Sequence, residues 1–199
     1  MKVLINNKLW IWLLLSAGIF AYGCTRHYSP KPRGYFRIDL PKHRYKSFDT
    51  TFPYLFEYPV YSTITNDPYF PNEKYWININ FPKFKATLHL SYKEIHNNLG
   101  TYLEDAHTLV SKHIPKASAI NDSIILNRRD KIFGLAYDIE GNGAASPYQF
   151  FLTDSLHHFV RGALYFNVEP NNDSLAPVIG FVKQDIKHFI GTFRWKNER

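Results

Sequence analysis

A chain of 199 residues with 45% hydrophobic and 17% aromatic residues has the length of one domain and the means to bury a core. That composition excludes disorder over most of its length. The single cysteine excludes an internal disulfide framework and any site built on two thiolates, while a formal charge of +7 leaves a basic surface to explain.

The first 23 residues read as a targeting segment. Lys2 and Lys8 precede an apolar run over 9–21, too short for the ~20 residues that a spanning helix needs. Residues 21–24 (AYGC) resemble a bacterial lipobox, with Ala21 where leucine is usual. The resemblance implies cleavage before Cys24 and acyl chains, palmitate among them, on that cysteine. Each buried methylene contributes ~0.8 kcal/mol, so two or three chains would hold the protein on a membrane permanently. Residues 25–30 (TRHYSP) lack the acidic cluster of Bacteroidetes surface-export signals, which points to a lipid-anchored protein facing the periplasm, in the inner or the outer membrane.

Residues 24–50 are basic and carry Pro30, Pro32 and Pro41, the composition of a semi-rigid tether. One domain is expected over 51–199. Period-two alternation predicts strands at 54–58, 75–81 and 84–90. Between 97 and 114 the spacing of Leu99, Tyr102, Leu103, Ala106, Leu109, Val110 and His113 is helical, with Thr101 and Glu104 placed for a capping box and Pro115 as a stop. Strands return at 117–126, 131–140, 148–153 and 158–167. A last helix over 174–193 has Asp173 and Ser174 at its start, Pro177 in its first turn, and Val178, Val182, Ile186, Phe189, Ile190 and Phe193 on one stripe. The sum is an α+β fold, an antiparallel sheet packed with two amphipathic helices.

No catalytic set converges along the chain, and no enzyme is expected. His157 and His158 are neighbours on a strand and point to opposite faces, and His107 and His113 share no helical face, so no metal or other cofactor is expected. Gly141 and Gly143 lie between strands, as in a hairpin, rather than before a helix that could receive phosphate. Asp154, Ser155 and His157 supply triad residue types, yet neighbours on an extended segment cannot converge, and the stretch reads as a turn. Nucleic acid is excluded as a partner by export.

Residues 32–41 (PRGYFRIDLP), 56–60 (FEYPV), 81–86 (FPKFKA), 89–93 (HLSYK) and 102–105 (YLED) resemble the gliding motility lipoprotein GldD family of Bacteroidetes. So do 149–155 (QFFLTDS), 158–167 (HFVRGALYFN) and 173–178 (DSLAPV). The resemblance implies a non-enzymatic assembly or stabilising component of the gliding motility and type IX secretion machinery. Its partners would be other envelope proteins of that machinery, including a GldE-like membrane protein. A periplasmic small-ligand-binding lipoprotein or a hydrolase is the alternative. The order of elements, ending in residues 192–195 (TFRW), resembles the PsbP-like α+β sandwich.

Two aromatic–basic blocks are the expected partner contacts: Arg33, Tyr35, Phe36 and Arg37, then Lys83, Phe84 and Lys85. Thr50, Ser123, Ser155 and Ser174 each follow an aspartate and precede Thr, Ile or Leu. That pattern resembles the acceptor of Bacteroidetes periplasmic O-glycosylation, although Asp-Ser also marks turns and helix caps.

Overall fold

A computed structural model of the chain describes Gly34 and residues 37–196. The targeting segment, Cys24, Arg33, Tyr35 and Phe36 lie outside the described residues. Within them the order is β1 (Tyr45–Phe48), β2 (Tyr54–Pro59), β3 (Thr63–Asn66), β4 (Ile77–Phe81), β5 (Ala86–Glu94), α1 (Leu99–Ser111), β6 (Ala119–Asn127), β7 (Ile132–Glu140), β8 (Tyr148–Thr153), β9 (His158–Phe166), α2 (Asn172–Thr192) and β10 (Arg194–Trp195). The fold is α+β. A seven-stranded antiparallel sheet has the order β3-β4-β5-β9-β8-β7-β6, and a three-stranded sheet the order β1-β2-β10. No helix among the described residues is long and apolar enough to cross a membrane.

The large sheet is covered on both faces. On one face, Tyr54 and Phe56 of β2 and Val182, Ile186 and Phe189 of α2 pack on Ile77, Leu88, Phe150 and Leu164. On the other, Ala106 and Val110 of α1 pack on Tyr137, Ile139, Phe151 and Phe159. This two-sided burial explains β8, whose six residues are all buried. Tyr148, Phe150 and Leu152 enter the α2-side core and Phe151 the α1-side core, so an almost unbroken apolar run is what the position demands. Each large side chain so buried contributes ~1.5–3 kcal/mol.

The long pairings follow the period-two patterns. β5 and β9 pair over nine residues, from Ala86 opposite Phe166 to Glu94 opposite His158. Helix ends differ from expectation. Helix α1 begins at Leu99 with Asn98 at its N-cap and no side-chain cap bond, so Thr101 already lies inside the helix and the capping box does not form. Helix α2 begins at Asn172, capped by Asn171, whose side chain accepts the Ser174 N–H at 3.4 Å. Pro177 therefore falls beyond the first turn.

The globular fold also reaches into the stretch expected as tether. Residues 45–48 form β1, with Tyr45 opposite Pro59 and Phe48 opposite Phe56. Phe48 stacks on Phe56 at 4.8 Å between ring centroids. A spacer would leave those rings in water. The strand expected at 84–90 starts later, at Ala86, and runs on to Glu94, because residues 82–84 make a 3-10 turn that Pro82 initiates and Lys85 closes with φ 49°.

Candidate functional site

Of the first expected contact block only Arg37 lies among the described residues, and the second block meets the chain just after it, at Asp39. Lys83 Nζ donates to the Asp39 carbonyl at 2.6 Å, with the Asp39 carboxylate at 3.6 Å. Arg37, Lys83 and Lys85 are exposed. Phe84 is the exception and corrects the expectation: it is buried, edge-on to Phe181 of α2 at 5.4 Å, and belongs to the core. A 3-10 turn sends every third side chain the same way, which is how one ring of this block is swallowed while its flanking lysines stay outside.

Behind this surface lies a polar hub that the sequence did not announce. Asp185 sits on the apolar stripe of α2, 1% exposed. Its Oδ1 accepts from His43 Nδ1 at 2.7 Å and from the Tyr45 hydroxyl at 3.1 Å, and its Oδ2 from the Tyr61 hydroxyl at 2.5 Å. Burial, then the charge of Asp185, pushes the Tyr45 phenol up to about 12. Burial, then the hydrogen bond to Asp185, raises Tyr61 as well, so both phenols remain donors at neutral pH. About one turn further along α2, His188 bonds Glu57 at 2.7 Å and lies flat on Tyr45 at 3.5 Å. The hub fastens residues 43–48 to α2.

The outer face of the large sheet carries a cleft of about 620 Å³. Its floor is β5 and β9, one wall is α1 through Tyr102 and Leu109, and the other is the 67–76 connection through Tyr69, Phe70 and Trp76. The connection is held in place by the Trp76 indole N–H on the Tyr92 carbonyl at 2.7 Å, and by Lys93, which bonds Glu73 at 2.7 Å and lies 4.8 Å above the Trp76 ring. Tyr69, Phe70 and Leu109 stand at the rim with 82%, 50% and 36% of their surface exposed. Large apolar side chains grouped this way mark a binding surface.

Arg161 lies in the floor of that cleft. Its Nη2 donates to Oε1 of the buried Gln149 at 2.5 Å, and the Gln149 amide nitrogen meets His113 Nε2 at 2.9 Å. Burial, reinforced by the Arg161 charge, lowers the His113 pKa, so its imidazole is neutral and accepts from Gln149. His89, 3.9 Å from Asp67, is also lowered by burial, Asp67 opposing and Arg161 adding to the effect. Burial pulls Arg161 below the usual guanidinium value, with Tyr165 opposing, yet such a group keeps its charge at neutral pH. No carboxylate pairs with it among the described residues. A charged residue inside the apolar run of β9 was the readable signal for this site.

The Asp154-Ser155-His157 stretch is a tight turn. Asp154 Oδ1 accepts the N–H groups of Leu156, His157 and His158 at 2.8–3.0 Å. Burial works against its charge, but those three bonds outweigh it and hold the carboxyl below its ordinary value. Ser155 is exposed with φ 72°. His158 is buried and His157 exposed, the two faces that adjacency on a strand requires. Among the described residues no group of three or more His, Cys, Asp or Glu is placed to hold a metal ion. Thr50, Ser123, Ser155 and Ser174 are all exposed, so none is a buried cap.

No curated protein matches the chain. Among solved structures it is similar to cyanobacterial PsbP (CyanoP) from Synechocystis sp. PCC 6803, at 10% identity and a TM-score of 0.47, over 84% of this chain and 100% of that one. The family of gliding motility lipoprotein GldD matches residues 25–195, which takes in every strand and helix described above. The chain belongs to the gliding motility lipoprotein GldD family.

Proposed function

We propose that the protein is a periplasm-facing lipoprotein, anchored through Cys24, that serves gliding motility as a non-enzymatic assembly or stabilising component and is linked to type IX secretion. The family match over residues 25–195 carries this reading, because it spans the whole domain rather than one site. The exposed Arg37, Lys83 and Lys85 support it, as basic residues that envelope partners, a GldE-like membrane protein among them, would meet.

The test is a host strain whose only copy carries Cys24→Ser. The mutant protein should leave the membrane fraction or keep its targeting segment, and the cells should stop gliding. A mature-sized, membrane-bound mutant that supports normal gliding contradicts the reading.

A further inference from the structure

The cleft beside α1 combines an apolar mouth with one unpaired positive charge, and the partner-contact surface does not include it. Charges in and around it can be counted group by group. Lys93 is bound to Glu73 at 2.7 Å. His89 is kept neutral by burial, with Arg161 adding to the effect, and sits 3.9 Å from Asp67, whose other oxygen accepts the Tyr69 N–H at 2.9 Å. Asp105 lies exposed on α1. Arg161 alone presents a full positive charge without a carboxylate partner. Its guanidinium is oriented from behind by Gln149, which is 1% exposed and is itself held by His113. A side chain held by a buried glutamine that is itself held by a histidine is preorganised, so little ordering remains to be done when an anion arrives.

We propose that this cleft binds a small organic monocarboxylate with an aromatic or alkyl body, its carboxylate forked on the Arg161 guanidinium. The planar guanidinium matches two carboxylate oxygens. One charge is what the site can neutralise, since the second charge of a phosphate monoester would face Asp67 and Asp105. The aromatic rings of Trp76 and Phe70 on one wall and Tyr102 on the other take the apolar body, and 620 Å³ falls in the size range of small-molecule sites. The inference extends beyond the anchoring and assembly role, and its test reads binding rather than motility.

The test is isothermal titration of the full-length chain in nonionic detergent micelles, with empty micelles subtracted. Three probes share one ring: 4-phenylbutyrate, 4-phenylbutanol and phenyl phosphate. The carboxylate should bind at one saturable submillimolar site, at least tenfold tighter than the alcohol and tighter than the phosphate. Arg161→Gln should bring the carboxylate down to the level of the alcohol. Leu109→Glu changes an exposed rim residue, leaves folding alone, and should weaken the carboxylate at least tenfold by placing a negative charge at the mouth. It decides the matter if Arg161→Gln melts. Absence of saturable binding, equal affinity for acid and alcohol, or an unchanged Leu109→Glu overturns the proposal. Tighter binding of phenyl phosphate overturns the monoanion assignment.

Discussion

Asp185→Ala is expected to lower the melting temperature by about 10 °C, a loss of roughly 3–5 kcal/mol for a domain of this size. The substitution removes one acceptor group and strands three donors, His43, Tyr45 and Tyr61, in a site that is closed to water on the helix side. Unmade bonds of this kind cost more than made ones contribute, because each orphaned group carries its full desolvation penalty. Asp185→Asn keeps an acceptor oxygen but turns an amide N–H₂ toward the hydroxyls, and should fall between the two. The hub also holds residues 43–48 on α2, so Asp185→Ala should open Lys42, Arg44 and Lys46 to trypsin before the rest of the domain is cut. A loss below about 1 kcal/mol with no new cleavage would show that the hub does not secure this segment.

Gly134→Ala should prevent soluble accumulation of the protein. Gly134 lies opposite Leu152 in the β7–β8 ladder, and a Cβ there would stand 1.9 Å from the backbone oxygen of Phe151. That oxygen belongs to a fully buried strand and cannot withdraw without breaking the ladder, so the cost exceeds ~4 kcal/mol, a large part of the ~5–15 kcal/mol that holds a domain folded. Gly143→Ala is the control. Its Cβ would make an ordinary contact at 3.6 Å with the Lys116 side chain, and stability should stay within about 0.5 kcal/mol. Soluble yield and thermal melting of the pair check the contrast, and a well-folded Gly134→Ala would refute the register between β7 and β8.

What the sequence disclosed follows from how each element is buried. β5, β7, β8, β9 and both helices carry large apolar residues at the spacing of their own geometry, because the strands are covered by helices and β2 and each helix buries a face on the large sheet. β3 reads Thr-Ile-Thr-Asn and lies at a sheet edge, mostly exposed, so no alternation marks it. β1 has only two half-buried residues, Tyr45 and Phe48, three apart, amid a basic proline-bearing stretch that looks like a spacer. β10 is two residues long. The sites show the same division. A carboxylate on the apolar stripe of α2 and an arginine inside β9 are visible oddities, and each marks a group that must find a partner. The partners of Asp185 lie 124–142 residues away, and no local pattern links residues so far apart. Phe84 misled for the opposite reason, since its flanking lysines are exposed and the turn that buries it has no periodic signature.

Membership of a lipoprotein family places the protein on a membrane of the cell envelope, with gliding motility as its setting. We propose that it works there by holding other proteins. Crosslinked membranes from the native host, with the tagged protein recovered and its companions identified by mass spectrometry, test that claim most directly. Envelope proteins of the motility and secretion machinery, a GldE-like membrane protein among them, should be enriched, with a several-fold drop when Lys83→Ala and Lys85→Ala are combined. Recovery of no envelope partner from the native protein would contradict it.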